Sequence, residues 1–294
     1  MTPKEKQNIL KAGEIAKQVK QLAKTIVKPN IALLEIAEAI ENKIVELGGR
    51  PAFPVNLSIN EIAAHCTPAY NDETLAHGLL KVDFGVQIGG WIADVAFSID
   101  LENDEENREL INASEKALRN AIQKMKIGIS LGEIGKAIQE AIEEEGFSPI
   151  TNLSGHEMKE YELHAGLMIP NVDNKMPNKI KKGLYAIEPF ATAGNGRVVE
   201  GKPSGIYLLV NDKNVRNPEA RKILGFIAEE YKTLPFCSRW IVKKFGAKAL
   251  FALRQLEDNG NLHQYPQLIE ISKAKVSQAE HTVLIDEETI LTTD

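Results

Sequence analysis

Two aspartates interrupt the apolar runs of a predicted hairpin, residues 81–100, which read KVDFGVQIGGWIADVAFSID. Its Gly-Gly pair favours a two-residue turn. In that register Gly85 faces Asp94, so Asp83 and Asp94 share one face of the sheet, with backbones roughly 7 Å apart. Gly85 is expected to leave space beside them. Two like charges in an apolar core repel. Either bound divalent cations remove this repulsion, or one carboxylate takes a cationic partner and the other reaches solvent.

Other side chains able to bind metal also border strand-like segments. His156 and His164 lie eight residues apart in NLSGHEMKEYELHAG, where an extended run would put both on one face. Glu188 ends the apolar run of LYAIEPF, and Glu280 precedes HTVLI. Each histidine taken alone is explained as an ordinary core or surface residue. Together these groups favour a site for Mn, Fe(II) or Co, and bridging carboxylates hold two ions about 3.5–4 Å apart in metal-assisted hydrolysis.

The composition is that of an ordinary globular protein and excludes several classes. The 294 residues are 43% hydrophobic and 26% charged, enough for a sizeable core. The net charge of −6 leaves no basic surface for nucleic acid. No apolar run is long enough for a membrane span, and MTPKEKQNIL is too charged for a signal peptide. With Cys66 and Cys237 the only cysteines, a reducing cytoplasm is expected.

The predicted helices and strands provide the framework for these groups. Apolar residues recur with helical spacing from Lys4, and Pro29 ends this first predicted helix. Three further helices are predicted over 33–47, 105–126 and 131–145. Residues 49–59 are expected to be extended, and 61–80 to form a loop before the hairpin.

The second and fourth predicted helices resemble each other at an offset of 98 residues. This offset aligns Glu35 with Glu133 and Ile36 with Ile134, and it also aligns the glycine stops and the prolines that follow. The aligned pairs are Ala39 and Ala137, Ile40 and Ile138, Ile44 and Ile142, Gly48 and Gly146, and Pro51 and Pro149. Chance similarity between helices is one explanation, and a duplicated helix–strand unit is the favoured one. A site between the two halves is then expected.

Eight segments together resemble the type 2 methionine aminopeptidases of peptidase family M24, in their archaeal-like form. The segments, in the family's order, are AHCTP, KVDFG, ADVAF, NLSGH, ELHAG, AIEPFAT, LPFCSRW and QAEHTVLI. The resemblance implies an α/β (α+β) pita-bread fold with internal pseudo-twofold symmetry, in which residues 1–294 form one catalytic domain. It implies a metal-dependent hydrolase that removes the N-terminal methionine from nascent proteins and peptides. It also implies two divalent ions (Co, Mn, Fe(II) or Zn) with five ligands: Asp83, Asp94, His156, Glu188 and Glu280.

The resemblance also implies roles for other residues. Water activated by the two metals attacks the first peptide carbonyl, and Glu188 moves its proton. His164 donates to the carbonyl oxygen, and His65 lies at the pocket mouth near the scissile nitrogen. The substrate's α-amine lies against the acidic site. Phe53, Leu163 and Tyr265 resemble lining positions of the methionine pocket, although plain core packing also explains such residues. No role is assigned to the remaining histidines, His77, His263 and His281.

Residues 212–264 are expected to form a helical insertion between Glu188 and Glu280. Asn217 and Pro218 are a helix start signal, and RWIVKKFGAKALFALRQLEDNG predicts a further helix that ends at Asn259-Gly260. Such an insertion resembles the type 2 subclass. Its compact helices are also similar to a DNA-binding domain. Its charge is mixed, however, and the resemblance implies no nucleic-acid role, so it is expected to form a wall of the substrate pocket.

Two other functions remain open alternatives. An Xaa-Pro peptidase shares the fold and ligands, but such enzymes usually carry an additional N-terminal domain, whereas this sequence starts at the first helix. A non-enzymatic binding protein of the same fold is expected to lose metal ligands, and here all five are present. The expected partners are nascent polypeptide N-termini, with no nucleic acid and no membrane. The chain is expected to be a monomer, and the sequence leaves a ribosome association open.

Overall fold

Seven helices and sixteen strands form the fold in a computed structural model that describes all 294 residues. The helices are α1 (Pro3–Ile26), α2 (Leu33–Glu46), α3 (Glu105–Lys124), α4 (Leu131–Glu144), α5 (Pro218–Glu230), α6 (Ser238–Phe245) and α7 (Ala249–Asp258). The strands are β1 (Arg50–Pro51), β2 (Asn56–Ile59), β3 (Ile62–Ala64), β4 (Leu79–Ile88), β5 (Trp91–Asp100), β6 (Ser148–Pro149), β7 (Ser154–Met158), β8 (Met168–Pro170), β9 (Gly183–Ile187), β10 (Phe190–Thr192), β11 (Val198–Leu209), β12 (Phe236–Cys237), β13 (Leu262–Glu270), β14 (Val276–Gln278), β15 (His281–Ile285) and β16 (Thr289–Leu291). None of the helices combines the length and apolar character that a membrane span needs.

Several helices begin at capping residues that are visible in the sequence. Thr2 and Glu5 form a capping box at α1, and Ser130 and Glu133 form another at α4. At α5 the side chain of Asn217 accepts hydrogen bonds from two backbone amides of the first turn. These side chains satisfy amides that have no partner within the helix.

The structure keeps the offset of 98 residues in three consecutive elements. α2 and α4 each have 14 residues and start 98 positions apart, as do β1 and β6, and β2 and β7. The pairing also repeats, since β1 and β2 both lie antiparallel to β4, while β6 pairs with β10 and β7 with β9, again antiparallel. The two halves therefore repeat one helix–strand unit.

Each half has its own core between a helix pair and a sheet. In the first half, apolar residues of α1 and α2 pack against the face of β4 that carries Leu80, Val82, Phe84 and Val86. In the second half, α3 and α4 pack against β9 and β15. Side chains alternate along a strand, so this packing turns Asp83 to the face of β4 away from the helices.

Two details of the sequence prediction are wrong. Residues 61–80 do not form a continuous loop, because β3 (Ile62–Ala64) pairs with β13. The helix predicted over RWIVKKFGAKALFALRQLEDNG is two helices, α6 and α7. The break is at Gly246, which adopts φ +81 and donates its amide to Val242 O. Most residues cannot hold a left-handed conformation cheaply, so this glycine ends α6.

In the sequence, the three helices α5, α6 and α7 come between β11 and β13, two long strands that pair directly with each other in antiparallel orientation. They form a separate apolar cluster whose central residues include Ile223, Ile227, Phe236, Leu253 and Leu256. This cluster lies within or directly beside the segment predicted as an insertion.

Candidate metal centre

The hairpin of β4 and β5 has the predicted register, with Ile88 opposite Trp91 and Gly85 opposite Asp94. Asp83 and Asp94 therefore share a face of the sheet. The expected space beside Gly85 is not open: a Cβ there would lie 2.4 Å from Cε1 of Phe53. The absent side chain admits the ring of Phe53 to a position next to the carboxylates.

Three further side chains reach the same place from the second half. His156 lies on β7, opposite Ala186 of β9, and Glu188 follows the end of β9. Glu280 lies between β14 and β15, where its backbone N–H donates to Ala96 O at 2.9 Å. Since Ala96 is two residues from Asp94 on β5, this bond carries Glu280 to the edge of the first-half hairpin.

Short distances join four of the five groups. Nε2 of His156 lies 3.7 Å from Oδ2 of Asp94 and 3.5 Å from Oε1 of Glu188. Asp94, His156 and Glu280 offer ligand atoms that all lie within 4.8 Å of one another. Thr282 fixes the backbone of Asp94, because its Oγ1 accepts from Asp94 N at 2.7 Å and donates to Asp94 O at 2.9 Å.

Burial makes the proximity of these charges unfavourable without a cation. Asp94 and Glu280 are only 3% and 1% exposed, while Asp83 and Glu188 open partly to a cavity. Burial raises the pKa of Asp83 to about 7, and burial together with the neighbouring carboxylates raises the pKa of Asp94, Glu188 and Glu280 well above the ordinary range. Burial lowers the pKa of His156 to about 3, so its ring is neutral and able to coordinate metal.

Atoms without hydrogen-bond partners support metal binding at this position. Oδ1 of Asp83, Oδ1 of Asp94 and Oε1 of Glu280 are buried and accept no hydrogen bond, and Nδ1 of His156 also has no partner. Buried polar atoms are almost always paired, and a bound cation would supply the partner that these carboxylate oxygens lack. Four carboxylates and one imidazole are a suitable donor set for divalent transition metals.

A cavity of ≈ 400 Å³ opens above the five groups. All five predicted ligands line it, as do the other five residues predicted for the site: His65, His164, Phe53, Leu163 and Tyr265. Apolar side chains form one part of the lining and the carboxylates another. The cavity can therefore hold an apolar side chain beside a charged, metal-binding floor.

The two other histidines of the cavity are neutral and have different surroundings. His164 meets His156 edge to face, with ring centroids 4.4 Å apart. The residue as a whole is exposed toward the cavity, but partial desolvation of its ring lowers its pKa. Burial lowers the pKa of His65 to about 4. Nδ1 of His65 lies 3.2 Å from Pro266 O, which requires this nitrogen to carry the hydrogen and leaves Nε2 as an acceptor. The ring of Tyr265 lies against it, with centroids 5.1 Å apart.

The remaining histidines do not line the cavity. His77 and His263 are exposed, and His281 is the buried first residue of β15, with Nδ1 2.8 Å from Oγ1 of Thr293. Sequence reasoning missed Thr282, which holds Asp94, and Asn56, which lines the cavity opposite Asp83 in the β2–β4 register. The one sequence signal for Asn56 is a polar residue in a short apolar strand.

Comparisons with known proteins agree on one family. The model of metallopeptidase family M24 matches residues 7–287. A methionine aminopeptidase of Pyrococcus abyssi is 47% identical over 290 residues, which cover 97% of this chain and 98% of the relative. The solved structure of a thermophilic Arx1 has a TM-score of 0.84 at 14% identity and covers 99% of this chain and 91% of its own. A methionine aminopeptidase structure from Thermotoga maritima has a TM-score of 0.73 at 22% identity, with 100% and 98% covered. Both structures show the same fold.

Proposed function

The chain belongs to metallopeptidase family M24, as one of its type 2 methionine aminopeptidases, and from this premise we propose how its own residues divide the work. Its fold is the pita-bread fold of that family, an α/β arrangement of two similar halves. The enzyme is a metal-dependent hydrolase that removes N-terminal methionine from proteins and peptides. The observation that carries this function at the level of residues is the cluster of unpaired carboxylate oxygens on the floor of the cavity.

Five residues are proposed to hold two divalent ions: Asp83, Asp94, His156, Glu188 and Glu280. The unpaired atoms and the short distances between ligand atoms support this assignment. The ions supply Lewis acidity, which polarises the scissile carbonyl and makes water nucleophilic at neutral pH. Co, Mn, Fe(II) and Zn are all compatible with this mixture of carboxylates and imidazole.

Glu188 is proposed to move the proton during hydrolysis. Its carboxylate is partly open to the cavity, unlike those of Asp94 and Glu280, and its pKa is raised by burial and by the neighbouring carboxylates. Bound cations would offset this rise and keep Glu188 ionised, so that it could accept a proton from the attacking water and give it to the departing nitrogen.

His164 and His65 are proposed to contact the reacting amide from two sides. His164 lies beside His156 and donates to the carbonyl oxygen as negative charge develops on it. His65 carries its hydrogen on Nδ1, so Nε2 accepts a hydrogen bond from the scissile N–H. Both rings are neutral at neutral pH because their positions in the cavity lower their pKa values.

The apolar part of the cavity is proposed to hold the methionine side chain. Phe53 and Leu163 are 6% and 8% exposed and line the cavity together with Tyr265. In this orientation the α-amine of the substrate points toward the carboxylates, which favour a cation.

The domain organisation and cellular setting are also proposals. Residues 1–294 form one catalytic domain, and 212–264 form a helical insertion within it. A separate apolar cluster supports the insertion, and Pro235 from the same segment lines the cavity as part of the pocket wall. The substrates are proposed to be nascent chains in the cytoplasm, where the free Cys66 and Cys237 stay reduced, and the enzyme is proposed to act as a monomer.

Reconstitution separates this function from Xaa-Pro cleavage. The metal-stripped protein is loaded with Co, Mn, Fe(II) or Zn in turn and assayed on a Met-Ala-Ser peptide and an Xaa-Pro peptide. Release of methionine from the first peptide, without cleavage of the second, is the expected result. Cleavage of only the Xaa-Pro peptide would contradict the assignment.

A further inference from the structure

A buried ion pair joins α2 and α6. Arg239 of α6 and Glu41 of α2 are 2% and 8% exposed, and the guanidinium and carboxylate meet through two hydrogen bonds of 2.7 and 2.8 Å. Neither residue lines the cavity. The proposed function gives them no role.

The guanidinium makes further contacts with the segment that follows His65. Nε of Arg239 donates to Pro68 O at 3.1 Å, and Nη2 contacts Oγ1 of Thr67 at 3.4 Å. His65 itself has a left-handed backbone, with φ +57, a conformation that is uncommon for a residue other than glycine. Arg239 is therefore among the contacts that hold this short segment in place.

The carboxylate of Glu41 reaches a second part of the wall. Its Oε1 accepts a hydrogen bond of 3.4 Å from Val55 N, two residues after Phe53, and its Oε2 accepts one of 2.9 Å from Nε1 of Trp240. The ion pair thus ties the Phe53 side of the cavity to the His65 side.

Stability alone does not require a charged pair here. Apolar residues of similar volume often replace a buried ion pair with no loss of stability, whereas the loss of one partner is strongly destabilising. Apolar substitutes, however, cannot donate to Pro68 O or Thr67 Oγ1. What the charged pair provides, and apolar residues would not, is a set of hydrogen bonds to the segment after His65.

We propose that Arg239, held by Glu41, is a positioning residue that sets the location of His65 at the cavity mouth. This inference rests on the role proposed for His65. Since misplacing a catalytic group by about 1 Å costs up to about 10²-fold in rate, releasing the segment lowers kcat by roughly 10- to 100-fold while the metal ligands stay intact.

The test uses the metal-loaded enzyme with Glu41 and Arg239 replaced together, as Glu41→Leu/Arg239→Met. Three quantities are measured: metal content, kcat and KM on a methionyl peptide, and the ring signals of His65 in ¹³C-histidine-labelled, zinc-loaded protein. His65→Ala identifies those signals. Lys116→Met is the control, because it removes an ion pair with Glu144 and Glu145 between α3 and α4, away from the cavity.

The expected result is a stable double variant with full metal content, reduced kcat and displaced His65 signals. Wild-type kcat together with unchanged His65 signals would overturn the proposal. A displaced signal with unchanged kcat, alongside a fully active His65→Ala, would instead reject the catalytic role of His65 and keep the positioning role of Arg239. Should the double variant fail to fold, Arg239→Lys gives the same readouts, because lysine keeps the charge but cannot bond Glu41, Thr67 and Pro68 at once.

Discussion

The imidazoles of His156 and His164 meet edge to face with ring centroids 4.4 Å apart, yet only His156 comes within 4 Å of the carboxylates. Two histidines in contact thus face different chemistry. His156 faces the carboxylates with which it is proposed to bind metal, and His164 borders the space proposed for the substrate carbonyl.

His164→Ala should keep its metal and lose mainly kcat, by roughly 10²–10³-fold, as for removal of one oxyanion donor. His156→Ala should bind metal weakly and regain part of its activity in excess metal. Elemental analysis beside kcat and KM distinguishes the two, with the exposed His77→Ala as the unaffected control. Loss of metal from His164→Ala, with full metal in His156→Ala, would reverse the two assignments.

Asp83→Ala and Glu280→Ala should each abolish activity and reduce metal content, because each removes an anionic ligand. The matched control is Asp100→Ala on the same hairpin. That carboxylate accepts hydrogen bonds from Asn107 and two backbone amides, so its loss should lower stability and leave the metal in place. Normal turnover at normal metal occupancy in either ligand variant would exclude the site.

The stabilisation that metal provides should increase with pH. In the metal-free folded protein, burial raises the pKa of Asp83 to about 7, so this carboxyl keeps a proton that the unfolded chain has lost. Its contribution to stability is present at low pH and is lost as pH rises through about 7. Protons compete with metal for the same oxygens. Each proton that the metal displaces makes the free energy of metal binding more favourable by about 1.4 kcal/mol per pH unit.

The measurement is Tm of the metal-loaded protein minus Tm of the metal-stripped protein, from about pH 6 to about pH 8. Distant groups titrate alike in both forms, so the difference reports the site. The expected outcome is a difference that grows across this range and grows less in Asp83→Asn. A constant or shrinking difference would show that these carboxyls do not exchange protons for metal.

Gly85→Ala should weaken substrate binding more than it affects the metal. The new Cβ would lie 2.4 Å from Cε1 of Phe53 and 2.9 Å from Cβ of Ala52, so the ring must move. We expect a higher KM for methionyl peptides and a loss of about 1–3 kcal/mol in stability. Gly225→Ala is the control, since it lies on an exposed face of α5 with open space around it and should stabilise slightly. An unchanged KM for Gly85→Ala would remove Phe53 from the methionine pocket.

Both cysteines should titrate as free thiols in the denatured, non-reduced protein. In the folded protein burial raises the pKa of Cys66 to about 11 and that of Cys237 to about 12, so both should react slowly at neutral pH. Ellman titration before and after denaturation measures the two states. A disulfide between the cysteines would contradict the cytoplasmic assignment.

Features that depend on neighbouring residues were predictable from the sequence. The hairpin register follows from a Gly-Gly turn, and the repeat follows from matching helix stops, so Asp83, Asp94 and the two halves were all located correctly. The contact between His156 and His164 was not predicted, because an extended run puts both rings on one face but far apart. The chain does not continue as an extended run but turns back, with a bridge between Lys159 and Glu162.

Contacts between distant parts of the chain could not be predicted from one sequence. Thr282 and Asp94 are 188 residues apart, and Arg239 and Glu41 are 198 apart. Their side chains are of ordinary types in segments with no unusual pattern. Likewise, Gly85 shows only that a side chain is absent, and the sequence does not say that the ring of Phe53 fills the place.

The two similar halves have a consequence for the proposed metal site. Two proposed ligands, Asp83 and Asp94, come from the first half of the chain and three, His156, Glu188 and Glu280, come from the second. Either half alone therefore holds only part of the site, so the metal ions would join the two halves as well as serve the chemistry.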